Sequence, residues 1–173
     1  MALVMAAAVL AMPASPAHGA AASLSTAPVF SIPPPQPTVV GSSSLVRTDR
    51  GISVRLKTTG LEPGDVATLW WVVANAPEEC EAGLPGLSQC GPGDHHAGRG
   101  DLSVLNAAGR IVGGNGGVSF GAHLGVGDAS EALITGEPGL LDPRGAEVIL
   151  IVKTHGPKVP GMTAEMLSTF AGG

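Results

Sequence analysis

Val66-Ala67-Thr68-Leu69-Trp70-Trp71-Val72-Val73-Ala74 carries apolar side chains on both parities. Successive residues of a strand point to opposite faces, so a strand of this composition has to be covered on two sides. Its length and its β-branched and aromatic content suit a strand rather than a helix. The run is entered through Glu62-Pro63-Gly64-Asp65, where Pro presets one turn dihedral and Gly is free to take positive φ. A second run of the same kind, Ala146 to Thr154, is apolar on both parities from Val148 to Val152. Upstream, Leu45 to Arg47 and Ile52 to Thr58 flank the turn Thr48-Asp49-Arg50-Gly51. Ile52, Val54 and Leu56 alternate with Ser53, Arg55 and Lys57, the pattern of a half-exposed hairpin.

Between the two apolar runs the chain reads as short strands at Leu102 to Leu105, Arg110 to Val112 and Val118 to Leu124. Turns fall at Asn106 to Gly109 and at Gly113-Gly114-Asn115-Gly116-Gly117, where Asn-Gly is a strong hairpin signal. Alternation in the last of these strands directs His123 away from the core. Near the end, Thr163 is placed to cap a short helix with Met166, Leu167 and Phe170 on one side. That helix is expected on the outer face of strands 66 to 74 and 146 to 154. About seven short strands at spacings of roughly 8 to 12 residues predict an all-β fold, an antiparallel immunoglobulin-like β-sandwich with a short C-terminal helix. The sandwich domain is read as residues 45–173.

The whole chain has 173 residues, of which 44% are apolar and 13% charged, a balance that excludes a solvated disordered chain. A net charge of −5 argues against a general nucleic-acid binder. No uninterrupted apolar run reaches the roughly 18 to 20 residues of a membrane-spanning helix, so no transmembrane segment is expected in the mature chain. With no Tyr, three Phe and two Trp, the chain is poorly equipped for the ring-based gripping of sugars, peptides or single-stranded nucleic acid.

Met1 to Met12 is an apolar run of the length of a signal-peptide core, followed by Pro13, Pro16 and small residues up to Ser23. Residues 1–22 are accordingly read as a signal peptide cleaved near residues 19–22, and the protein as secreted or extracytoplasmic. Residues 23–44 hold five Pro and no charge and read as a Pro/Ser-rich linker or edge segment. In an oxidising compartment Cys80 and Cys90 are expected to pair. The ring they close is worth roughly 3 kcal/mol in the chain-entropy picture.

Gly60-Leu61-x-Pro63-Gly64 leading into Thr68-Leu69-Trp70-Trp71-Val72-Val73, Asn75-x-Pro77, Cys80, Ala122-His123-Leu124 and Thr154-His155-Gly156-Pro157 run through most of the mature chain. With Pro160-Gly161 and a terminal Phe170-x-Gly172-Gly173, they resemble an uncharacterised family of secreted bacterial proteins. Fragments of the chain also resemble CHRD (chordin-type) domains, a likeness that implies a β-sandwich.

Four constellations are candidates for chemistry. Gly117-Val118-Ser119-Phe120-Gly121 matches the G-x-S-x-G pattern, but a nucleophile elbow needs a strand, a sharp turn and a helix, whereas Ser119 falls inside a strand. Asp94, His95 and His96, joined by His123 and His155 if the sheet ends converge, carry groups that suit a divalent transition metal. Arg99-Gly100-Asp101 spells a tripeptide read by some adhesion receptors and also reads as a simple turn. Trp70 and Trp71 face opposite ways, so one belongs in the core and the other lies under the C-terminal helix or is exposed as a ligand contact. No catalytic set emerges. The leading expectation is a non-enzymatic secreted module that binds an extracellular protein or ligand. The alternative is an extracytoplasmic protein holding a metal through the histidines of the disulfide loop. No other cofactor is implied.

Overall fold

The computed structural model describes residues 5–10, 21–32 and 37–170, with the first of these segments described as backbone. The described strands are β1 (Met5–Leu10), β2 (Ser23–Ile32), β3 (Thr38–Thr48), β4 (Gly51–Thr58), β5 (Asp65–Ala74), β6 (Leu102–Ile111), β7 (Val118–Gly125) and β8 (Glu147–Pro157). A 3-10 turn at Pro77–Glu79 and helix α1 (Pro92–His96) lie between β5 and β6, and helix α2 (Thr163–Met166) follows β8. The strands pair antiparallel in the order β6-β5-β8-β1-β2-β3-β4-β7.

This ladder folds over on itself into two layers, β6-β5-β8 and β2-β3-β4-β7, with β1 joining them along one side. Leu69, Trp71 and Val73 of β5 and Val148, Leu150 and Val152 of β8 meet Val29, Leu45, Ile52, Val54, Leu56 and Phe120 of the other layer in one buried cluster. Two antiparallel layers around one core give the immunoglobulin-like sandwich architecture that the patterning predicts. Among the described residues no helix is long and apolar enough to cross a membrane.

The outer face of the β6-β5-β8 layer is apolar too, and two different segments cover it. At one end Val72, Ala74 and Ile149 pack with Leu102 and with the disulfide loop through Cys90. At the other end Trp70 lies under Phe170, the rings edge-to-face with centroids 4.9 Å apart, and the Lys153 ammonium sits 4.7 Å from the Phe170 centroid. The C-terminal segment thus takes up its expected position, although α2 itself is a single turn and the residues after it make these contacts. Met162, not Thr163, is its N-cap. Gly109 of β6 permits the approach: a Cβ there would stand 2.1 Å from the Leu167 carbonyl oxygen.

Three local expectations are corrected. Residues 23–44, read as a linker or edge segment, contribute β2 and most of β3, which pair along almost their whole length, from Ser23↔Arg47 to Ser31↔Thr38. Val29 is fully buried there and Ser43 nearly so, and this burial outweighs the preference of proline for extended linkers. Leu102 to Ile111 is one strand, because a bulge opposite Leu69 and Trp70 absorbs the Asn106 to Gly109 stretch read as a turn. The turn at Asn115-Gly116 does form, with Gly116 at φ 71° and the Gly117 N–H bonded to the Asn115 side chain. Its flanking strands do not pair with each other, however: β6 joins β5 and β7 joins β4, so the turn carries the chain from one layer to the other. Of the expected cleavage region, residues 19 and 20 lie outside the described residues.

Candidate functional site: the disulfide loop and its groove

Residues 75–101 leave β5 and return to β6 with little apolar content of their own. Cys80 and Cys90 are joined in a disulfide with Cα atoms 5.1 Å apart, and Cys90 is fully buried against the outer face of the β6-β5-β8 layer. Gly100 packs close to this bridge, since a Cβ on it would lie 2.5 Å from the Cys80 sulfur.

Carboxylates from three parts of the chain complete the loop. Asp94 of α1 is fully buried and accepts hydrogen bonds from the backbone N–H groups of Glu81, Ala82 and Gly91, at 2.8 to 3.0 Å, and from the Arg99 guanidinium. Burial by itself raises the pKa of such a carboxyl. The hydrogen bonds from Glu81, Ala82 and Gly91, with that from Arg99, overcome it and hold Asp94 below the ordinary aspartate value. Glu147, at the start of β8, accepts from the N–H of Gln89 at 2.8 Å and of Cys90 at 2.9 Å. Glu137, from the connection between β7 and β8, accepts from the Val104 N–H at 2.9 Å and bonds His95 Nε2 at 2.7 Å. A backbone that cannot order itself by apolar burial is thereby anchored through its own N–H groups.

Beside this loop lies a groove of about 510 Å³, bounded by Ala27, Pro28 and Phe30 of β2, by Gly86, Leu87, Ser88 and Gln89 of the loop, and by Glu147. Its walls are mainly apolar, with the loop backbone and the Glu147 carboxylate at its margin.

The candidate metal ligands are dispersed. Asp94 is consumed by backbone donors, His95 by Glu137, and His96 is exposed with its ring 6.1 Å from that of His95. His123 is on the outer face of β7, its Nδ1 2.9 Å from Ser53 Oγ across the β4-β7 ladder. His155 is buried at the far end of β8, its Nε2 2.8 Å from Thr68 Oγ1, which in turn accepts the Trp70 indole N–H at 2.8 Å. The sheet separates these histidines because β7 and β8 belong to opposite layers. Among the described residues no three His, Cys, Asp or Glu side chains gather into a metal site.

The other sequence candidates are also placed by the fold. Neither tryptophan is available as a surface contact: Trp71 is in the inter-layer core and Trp70 is beneath Phe170. Ser119 is exposed near the start of β7, paired with Lys57 in a regular ladder. Arg99 is bound to Asp94 and Glu81, so the Arg99-Gly100-Asp101 tripeptide is part of the loop's own scaffold. Glu137 and Glu147 escape a sequence reading, although a carboxylate opening a strand that is apolar on both faces is a signal that something polar must meet it. No family model, curated protein or solved structure matches the chain.

Proposed function

We propose that the protein is a secreted, non-enzymatic β-sandwich module that binds a partner at the groove between β2 and the disulfide loop. The observation that carries this reading is the anchoring of the loop. A disulfide and the buried carboxylates Asp94, Glu147 and Glu137 hold a segment of little intrinsic stability in one conformation beside a groove of about 510 Å³. A preformed surface loses little entropy on binding, which is what such anchoring provides. Export is supported by the apolar leader and by the disulfide, which suits an oxidising compartment.

Site-specific photo-crosslinking tests the reading. A crosslinking residue at Leu87 or Gln89 should capture a partner in the exporting cell, while the same residue at Ser119 should not. Capture from Ser119 alone would move the binding surface to β7 and overturn the assignment. Stoichiometric metal in untagged protein, lost in His95→Ala/His96→Ala, would replace it with the metal-binding alternative.

A further inference from the structure

The segment read as the core of a signal peptide is also a strand of the fold. β1 pairs antiparallel with β2 from Met5↔Ile32 to Ala7↔Phe30, and antiparallel with β8 from Ala6↔Val152 to Leu10↔Val148. Removing residues 1–22 withdraws this strand from between its neighbours. β2 and β8 are both antiparallel to β1 and therefore parallel to each other. They would stand roughly 9 to 10 Å apart, twice the spacing of paired strands. Closing that gap means moving one layer against the other, but Val29 and Val148, Leu150 and Val152 of the two strands are fully buried in the shared core. The interior packing resists such a shift. β8 would then be an edge strand with the composition of a central one: its Val148 to Val152 are apolar on both faces.

We infer that the processed protein is a strand acceptor: the slot between β8 and β2 takes an extended, uncharged, alanine-rich apolar segment from a separate polypeptide, antiparallel to both edges. The sequence seated there, Met5-Ala6-Ala7-Ala8-Val9-Leu10, defines that chemistry. Main-chain hydrogen bonds to the two edges give affinity. The groove supports the same assignment. β1 leaves β2 after Ala7 while staying with β8 to Leu10, and the groove borders this place, lined by Ala27, Pro28 and Phe30 of β2 and by Glu147, the residue before Val148. The inference rests on the proposal of an exported, processed binding module and names the class of its partner.

The experiment begins with the full precursor expressed in an export-competent host. Intact mass of the exported protein gives its N-terminus. The processed protein is then titrated with a fluorescent peptide of residues 3–12 flanked by lysines, and with the same peptide carrying Ala7→Pro, by anisotropy. Saturable binding of one peptide per chain is expected, weakened about tenfold or more by the proline, which removes a ladder donor. Because the substitution is in the peptide, the folding of the acceptor is not at stake. Absence of binding, or equal binding of both peptides, overturns strand acceptance while leaving export intact. An exported chain that retains Met5 to Leu10 overturns the reading on which the inference rests. A dimer of processed chains that does not yield to the peptide assigns the slot to a second copy and overturns the separate partner.

Discussion

Single residues decide whether the loop is a fixed surface. The pKa of Asp94 is held below the ordinary aspartate value, so its ionised form is favoured by folding. Its contribution is therefore fully present above the ordinary aspartate range, near pH ~3.9, and is lost as pH falls through the lowered value in the folded protein. Amide resonances of Glu81, Ala82 and Gly91 should keep their native positions down through that range and shift only in stronger acid. A transition at or above ordinary aspartate values would contradict this account. In Asp94→Asn the same amides should lose protection from exchange at neutral pH, because an amide cannot replace the charge that receives them. Gly109 decides the other end of the outer face. Gly109→Ala sets a Cβ against the Leu167 carbonyl and should lift the C-terminal segment from Trp70. A red-shifted tryptophan emission with little change in the sheet's circular dichroism is the expected result, since the inter-layer core is untouched.

At the scale of elements, the disulfide loop is held from several directions, and so its crosslink and its carboxylates should be separable. Cys80→Ala/Cys90→Ala should cost roughly 3 kcal/mol in denaturant unfolding, with the opening confined largely to the loop. Glu147→Ala leaves the Gln89 and Cys90 N–H groups without their acceptor and should cost about 1 to 3 kcal/mol. Hydrogen exchange should rise at positions 89 and 90 in both variants while β5 stays protected. Loss of protection in β5 would show that the loop and the sheet unfold as one unit. The strands themselves were legible as elements wherever a face repeats. Ile52, Val54 and Leu56 on β4 specify their buried face by alternation, and the runs of β5 and β8, apolar on both parities, specify cover on two sides. β6 was broken into pieces because a bulge flanked by Asn106 and Gly109 looks, in one dimension, like the punctuation of a turn.

At the scale of the whole molecule, Trp71 joins the layers and Trp70 does not. Trp71→Ala should lower global stability by about 3 to 5 kcal/mol, read as a shift of the denaturant midpoint for the whole sheet. Phe170→Ala, which uncovers Trp70, should leave most of that stability in place and move the emission of one tryptophan. What the sequence determined by itself follows from local periodicity and covalent proximity: two strands needing cover on both faces, a sandwich to provide the first cover, a C-terminal segment for part of the second, and a pairing between cysteines close in the chain. What only tertiary structure decided follows from contacts between residues far apart in the chain. Glu147 and Glu137 reach the loop across separations of 58 and 42 residues, to Gln89 and His95, and periodicity within one strand carries no trace of such partners. The choice of layer for each strand was equally hidden, since a turn such as Asn115-Gly116 specifies a reversal but not whether its arms pair. The candidate histidines were parted by that choice, and the strands β2 and β8 were left on either side of β1 by it.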